Sequence, residues 1–239
     1  SQETVWDDLG MSVLDSAWEG YNVSLFAYGQ TGSGKSYSMM GSTGGEEEDR
    51  EGIIPRAVTR IFERIGGNED AALTYRVECS MLEIYNERIR DLFDSAASKA
   101  GGGAGGAAQR PGLRVREHPD TGPFVEGLQK KKVTTYEQVN ALMEKGAQAR
   151  TIAATKMNAT SSRAHTIFSI VVTQVQATDE EIKHIAKATE KASIINLIDL
   201  AGSERQKATG SAGGRLKEGA AINLSLSALG NVINALAKQ

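Results

Sequence analysis

The sequence predicts an α/β fold whose central sheet is mostly parallel or mixed and has helices on both faces. Three observations lead to this fold class. Apolar runs of strand length alternate with helical segments along the chain. Residues 22–28, NVSLFAY, have the apolar character of a buried strand. That strand leads into a glycine-rich turn followed by a helix start, as in doubly wound sheets.

The first twenty residues predict a helix. Val5, Leu9, Val13 and Ala17 recur four positions apart, with acidic and polar residues between them. This spacing is typical of a helix. Gly20 then provides a stop signal.

The other predicted elements follow along the chain. A polar, acidic loop at residues 42–51 precedes a helix that has Pro55 in its first turn and ends at Gly66-Gly67. Residues 95–109 are low-complexity Gly/Ala sequence, which buries too little apolar area to order itself. We therefore expect one domain over residues 1–239 with a flexible surface insertion at about 94–110. Further strands are predicted at 73–85 (running on toward 92–93), 113–117, 124–128, 165–176 and 192–200, and further helices at 135–154 and from about 216 to the end.

The composition is that of a soluble, enzyme-sized protein. The 239 residues are 40% hydrophobic and 24% charged, which suits one substantial core. No apolar run approaches the roughly 20 residues that a membrane-spanning helix needs. Cys79 is the single cysteine, so an internal disulfide is excluded and a reducing cytosol fits best. The net charge of −3 argues against a general nucleic-acid binder.

The strongest motif is a phosphate-binding loop after the first strand. Residues 29–36, GQTGSGKS, fit the pattern G-x-x-x-x-G-K-[ST] at every position. Glycines let the backbone wrap around phosphates and point its N–H groups inward, and the following helix N-terminus adds a positive dipole end. Lys35 would neutralise the β- and γ-phosphates, and the Ser36 hydroxyl would ligate Mg²⁺. The candidate nucleotide-binding residues here are Gly29, Gln30, Thr31, Gly32, Ser33, Gly34, Lys35, Ser36 and Tyr37.

Alternatives to this interpretation remain at this point. A chance glycine-rich turn is one, although the apolar strand before the loop and the helix-compatible residues after it argue against it. A phosphate loop alone does not separate GTPases, kinases, helicases and motors. The N-K-x-D sequence with which GTPases recognise guanine is absent, which disfavours that class.

Two further segments carry a resemblance to a known family. Residues 158–165, NATSSRAH, are similar to the first switch of kinesins, N-x-x-S-S-R-S-H, and residues 199–204, DLAGSE, match their second switch. With the phosphate loop, the three motifs follow in kinesin order and at kinesin-like spacing. The chain thus resembles a kinesin motor domain over nearly every residue outside the insertion. Residues 113–128 are especially similar to the cargo-transport branch called kinesin-three.

The resemblance assigns roles around the bound nucleotide. Asp199 would hold the hydration shell of Mg²⁺, and Ser162 would approach Mg²⁺ and the γ-phosphate from the other side, next to Ser161 in the nucleotide site. The Gly202 N–H would sense the γ-phosphate, where only glycine permits such close approach. Ordinary helix caps or turn residues are the alternative for Ser162 and Asp199.

The resemblance also implies how the switches close. Arg163 and Glu204 would form an ion pair that positions the attacking water, although a surface salt bridge of little consequence is the alternative. Asn223 matches a family asparagine that communicates between the second switch and the following helix. Ala164 departs from the usual serine, which puts the mode of switch closure in doubt.

Basic residues mark the expected track-binding surface. In kinesins the stretch after the second switch faces tubulin, and an acidic partner would attract cations there. A merely solvated basic face is the alternative for each residue, and we assign Lys130–Lys132 to it. Departures at Ala212 and Leu224 weaken the expected affinity. The candidate microtubule contacts are Lys207, Arg215, Lys217, Arg114 and Arg116.

The resemblance implies a microtubule-stimulated motor that hydrolyses ATP with Mg²⁺, in the cytoplasm on the microtubule cytoskeleton. A catalytically weak kinesin-like microtubule-binding protein is the alternative, which Ala164 keeps open. Family segments at both ends are missing: the R-x-R-P strand, the segment resembling P-Y-R-x-S-K-L-T, and the neck linker. We therefore expect a fragment of a longer motor, and we leave its oligomeric state open.

Overall fold

A mixed central sheet organises the molecule. A computed structural model describes residues 1–42, 51–94, 112–119, 121–157, 161–177, 189–204 and 214–238. Its strands are β1 (Val23–Ala27), β2 (Leu73–Tyr85), β3 (Arg88–Asp91), β4 (Arg114–His118), β5 (Gly122–Glu126), β6 (Lys131–Val133), β7 (His165–Gln176) and β8 (Thr189–Asp199). The sheet has the order β1-β8-β7-β2-β3, with β6 also on β2, while β4 and β5 form a separate hairpin.

The strand directions confirm the predicted mixed sheet. Among the described strands β1 and β8 are parallel, whereas β8–β7, β7–β2, β2–β3 and β2–β6 are antiparallel. The long strands β2 and β7 stay in register from Leu73↔Gln176 to Ile84↔His165. This rigid pair holds β8 and, through it, the short strand β1.

Most helices pack on one face of the sheet. They are α1 (Gln2–Val5), α2 (Met11–Trp18), α3 (Lys35–Met40), α4 (Ile53–Gly66), α5 (Tyr136–Met157) and α6 (Gly214–Leu236). The core between the sheet and α1–α5 includes Ile61, Cys79, Phe168, Ile170 and Leu197, each no more than 1% exposed. On the opposite face, α6 meets the first residue of β7 through a hydrogen bond between Ser225 and His165. No helix in the described ranges is long and apolar enough to cross a membrane.

The helical segment over the first twenty residues buries a different face from the one predicted from the spacing of its apolar residues. A π-helical turn, Trp6–Gly10, joins α1 to α2. Trp6 and Gly10 are buried, while Leu9 is 47% exposed. The Trp6 ring lies over Gly10, where a Cβ would overlap it. The buried residues Gln2, Trp6, Gly10 and Leu14 are displaced by one position from the start of the predicted set, and they include a polar residue and a glycine that an apolar repeat does not mark.

Two strands depart from the sequence prediction. The strand from residue 73 does not run on toward 92–93, because the chain reverses at Asn86-Glu87, whose φ angles are 50° and 59°. Such positive φ values at both central residues are the geometry of a tight hairpin turn, here without the usual glycine. Residues 131–133 pair with β2, although Lys132 stays exposed as expected for a solvated basic face. Of the insertion predicted at 94–110, only Asp94 lies within the described residues.

We predict that Gly10→Ala destabilises the protein by about 1–3 kcal/mol, because the added methyl group must displace the buried Trp6 ring. Gly66→Ala is the matched control, since it lies at the exposed end of α4 with nothing within 4 Å of the new Cβ. Denaturant unfolding of both variants measures the difference. Equal stability of the two variants would show that the Trp6–Gly10 contact is not tight.

Candidate functional site

The candidate site lies where the parallel strands β1 and β8 end side by side. Their register runs from Val23↔Ile195 to Ala27↔Asp199, and the Leu200 N–H extends it by donating to Ala27 O at 3.2 Å. The phosphate loop therefore leaves β1 directly beside the Asp199 carboxylate. Ligands of open α/β sheets bind in the crevice at such carboxyl ends.

The loop itself adopts a conformation that requires glycine. Gly34 caps the N-terminus of α3 with φ 93°, which side-chain-bearing residues rarely adopt. A Cβ on Gly29 would lie 2.6 Å from the Ser33 hydroxyl. Lys35 Nζ donates to Gly29 O at 3.0 Å and to Gln30 O at 2.9 Å. The loop thus holds the lysine cation against its own backbone, where phosphate oxygens could bind it.

Ser36 and Asp199 bring a hydroxyl and a carboxylate together. The Ser36 hydroxyl donates to Asp199 Oδ2 at 2.5 Å. Asp199 Oδ1 is buried and has no hydrogen-bond partner among the described residues, and neither has the buried Thr166 hydroxyl on the cross-strand neighbour. A buried, unpaired carboxylate oxygen is costly unless a ligand or water satisfies it. Hard oxygen donors of this kind fit Mg²⁺ and its bound waters.

The second switch lies across the phosphate loop. Thr31 donates to the Glu204 carboxylate through its backbone N–H, at 2.9 Å, and through its hydroxyl. The Ser203 N–H donates to Gly29 O at 3.0 Å, and the Gly202 N–H donates to Ser162 O at 2.8 Å. A Cβ on Gly202 would overlap the Glu204 carboxylate and the Thr31 hydroxyl. A side chain at position 202 would therefore displace the contacting ends of Glu204 and Thr31, a constraint that the γ-phosphate argument did not anticipate.

Charge favours the ionised form of Glu204. Burial opposes its ionisation, but the Thr31 hydrogen bonds and the Lys35 cation outweigh burial and lower the pKa of Glu204. The described contacts of Glu204 are with Thr31, so the structure gives it a partner that sequence reasoning missed. Arg163 lies half-buried in a short 3₁₀ turn, Ser161–Arg163, and its ion pair with Glu204 stays a prediction.

His165 is a further residue that sequence reasoning missed as part of the site. Its Nδ1 accepts from the Ala201 N–H at 3.1 Å, and its Nε2 lies 2.9 Å from the Ser225 hydroxyl. Burial lowers the pKa of His165, although the nearby Asp199 charge opposes this shift, so the ring is neutral. The sequence motif contains this histidine as the last residue of the first switch, and that position was the available signal for a role.

The remaining predicted site residues fall into three groups. Tyr37 on α3 and Asn223 on α6 are exposed, and Ala164, the departure from the family serine, is buried. Arg114 is exposed on β4, and Arg116 pairs with Glu126 across the hairpin at 3.1 Å. The side chains of Ser161, Arg215 and Lys217, and all of Lys207 and Ala212, lie outside the described residues.

Sequence comparisons place these features in a family context. A family model, the kinesin motor domain, matches residues 1–239. The chain is 50% identical over 238 residues to kinesin-like protein KIF1B of Homo sapiens and 49% identical over 242 residues to kinesin-like protein unc-104 of Caenorhabditis elegans. Both alignments cover all of this chain but only 12% and 14% of those relatives. Relatives of this type confirm the predicted likeness to the kinesin-three branch.

Solved structures agree with this assignment. The structure of a fast kinesin superposes with a TM-score of 0.81 at 41% sequence identity, covering 100% of this chain and 61% of the other. A KIF14 structure with ADP, in complex with a microtubule, gives a TM-score of 0.83 at 44% identity, covering 100% of this chain and 62% of the other. The kinesin-like phosphate-loop architecture predicted from the sequence is thereby confirmed.

We predict that Gly202→Ala removes the Thr31–Glu204 contact, because its methyl group would occupy the same space. Amide hydrogen exchange at Thr31 should become faster, while global stability changes little, since the displaced groups are side-chain ends at an exposed position. Gly230→Ala on α6 is the matched control, with nothing within 4 Å of its Cβ. Unchanged Thr31 exchange in Gly202→Ala would contradict the packing described.

Proposed function

This chain belongs to the kinesin motor-domain family, and we propose that it hydrolyses ATP in a microtubule-stimulated cycle that drives movement along microtubules. One observation carries the proposal. The phosphate loop, the buried Asp199 carboxylate and the second switch meet at one edge of the sheet, with Glu204 in contact with the loop. Such an arrangement can bind a nucleoside triphosphate and respond to its terminal phosphate.

We infer that the phosphate loop binds the nucleotide through its backbone N–H groups and Lys35. Lys35 already lies against the loop, so little side-chain freedom would be lost on binding. The exposed Tyr37 ring on α3 stands close to this loop in sequence and is proposed to border the base or sugar. Ser161 would complete the site from the first switch.

The side chains at the end of β8 suit a magnesium ion. Mg²⁺, when bound, neutralises charge on the β- and γ-phosphates. We propose that Ser36 and Ser162 hold it, with Asp199 acting partly through water. The Asp199 Oδ1 atom supports this role, because it is a buried acceptor that the groups of the described residues leave unsatisfied.

Hydrolysis would depend on an exchange of partners in the second switch. The Gly202 N–H donates to Ser162 O, and Glu204 accepts from Thr31. To sense a γ-phosphate, Gly202 must turn its N–H from Ser162 O toward the phosphate. To pair with Arg163 and position the attacking water, Glu204 must leave Thr31. Each hydrogen bond broken is replaced by another, so two states of similar free energy are expected.

We propose the microtubule contacts from the positive charge of basic side chains, which an acidic partner would attract. Arg114 and Arg116 project from the β4–β5 hairpin, and Lys207, Arg215 and Lys217 follow the second switch in sequence. The Arg116–Glu126 pair is half-exposed on both sides, so exchanging Glu126 for an acidic partner would cost little. Solved relatives in complex with a microtubule support the choice of partner, as does the family assignment.

A second candidate function is microtubule binding without efficient ATP hydrolysis. Ala164 is buried beside the first switch and lacks the hydroxyl that the family motif carries there. If switch closure needs that hydroxyl, the protein would bind microtubules as a catalytically weak kinesin-like protein. For either function, we propose that residues 1–239 form one domain with a flexible insertion at about 94–110.

We predict that the full-length chain hydrolyses Mg·ATP faster when microtubules are added. Glu204→Ala should lower this turnover about 100-fold or more, because the attacking water loses its positioning group. It should still bind ATP, since Lys35 and the loop backbone are unchanged. Glu63→Ala, an exposed residue on α4, is the matched control and should behave like wild type. Steady-state phosphate release measures all three proteins.

The outcomes separate the two candidate functions. Stimulated turnover that depends on Glu204 supports the motor. Microtubule binding with slow turnover in the wild type would favour the weak binder, and absence of both would overturn the proposal.

A further inference from the structure

We propose that His165 is a positioning residue that transmits movement of the second switch to helix α6 through hydrogen bonds on both of its ring nitrogens. The ring lies between the Ala201 backbone and the Ser225 side chain. The inference deepens the proposed function and rests on it only in taking α6 to be the helix that responds to the nucleotide.

The hydrogen bonds define one arrangement of protons. Nδ1 accepts from the Ala201 N–H, so Nδ1 carries no proton. The neutral ring must then carry its proton on Nε2, which donates to the Ser225 hydroxyl at 2.9 Å. The Ser225 hydroxyl in turn donates to Ile222 O at 2.8 Å. The chain of donors and acceptors runs without a gap from the second switch into α6.

One ring thus joins the two switches and the helix. His165 follows Ser162 by three residues, and Ala201 precedes Gly202, whose N–H donates to Ser162 O. Ala201 is fully buried and His165 is 7% exposed, so water does not compete for the ring nitrogens. A change of acceptor by Gly202 turns the peptide group that follows Ala201. Where the Ala201 backbone shifts with that peptide group, its N–H pulls on the bond to His165 Nδ1.

In the part of the chain that the structure describes, helix α6 makes few other polar contacts with the sheet. Among contacts between described residues, His165–Ser225 is the one side-chain hydrogen bond that ties α6 to the sheet. Several apolar side chains of the helix are largely exposed, including Leu224 at 66% and Leu236 at 62%. A single directed hydrogen bond therefore has a large share in fixing this part of α6.

The proton arrangement can be measured directly. Long-range proton–nitrogen correlation spectra of the full-length chain should show His165 as the neutral tautomer with its proton on Nε2. His165→Gln assigns the signal, because this variant loses the His165 signal and keeps those of the other histidines. A tautomer with its proton on Nδ1, or a charged ring at pH 7, would overturn the proposal.

The transmission itself can be measured without microtubules, which keeps this test separate from the motor assay. Hydrogen exchange of α6 amides is compared with ADP and with a non-hydrolysable ATP analogue bound. In wild type, α6 exchange should differ by about fivefold between the two nucleotides, the size expected from one ordinary hydrogen bond. Ser225→Ala should abolish the difference, and Ser225→Thr should restore it because it keeps the hydroxyl.

A second serine of α6 provides the control for the exchange experiment. Ser227→Ala changes an exposed hydroxyl on the same helix and should leave the difference intact. A nucleotide-dependent difference that survives in Ser225→Ala would overturn the inference, and so would its absence from wild type. If the relay operates but microtubules do not stimulate turnover, the proposed function fails while the inference stands.

Discussion

The parallel pairing of β1 with β8 is the constraint on which the rest of the site depends. It places Ala27, the last residue of β1, opposite Asp199. Because side chains alternate between the two faces of a strand, a slip of one residue would turn the Asp199 carboxylate to the other face and separate it from Ser36. The hydroxyl–carboxylate contact therefore exists only in this register, and the eleven-residue pairing of β8 with β7 keeps β8 from slipping.

Asp199 is fixed by this register, whereas the contacts between the second switch and the phosphate loop can change. Asp199 is buried in the sheet edge, whereas Glu204 and Thr31 are exposed and hold each other through two hydrogen bonds. Exposed hydrogen bonds contribute little net stability because water replaces them readily. The site thus combines a rigid carboxylate with a second switch that can exchange partners at low cost, and His165 lies at the junction between the two.

The sequence predicted the strands and the site location because both follow from local patterns. Long apolar strands such as Leu73–Tyr85 have a strong periodicity, and the phosphate loop and switches are contiguous motifs. What the sequence could not predict depends on contacts between distant segments. The π turn at Trp6–Gly10, the Glu204–Thr31 contact and the His165–Ser225 bond each require knowing which surfaces meet. The hairpin at Asn86-Glu87 was missed because neither residue is glycine.

The central claim is that Ser36 and Asp199 form a divalent-cation site beside bound nucleotide, and Mn²⁺ binding to the full-length chain in the presence of ADP tests it most directly. Paramagnetic resonance of free Mn²⁺ measures the affinity, with Asp15→Asn, at an exposed carboxylate on α2, as the control. We expect ADP-dependent Mn²⁺ binding that Asp199→Asn weakens about tenfold or more and Asp15→Asn leaves unchanged. Equal Mn²⁺ affinity in wild type and Asp199→Asn would contradict it.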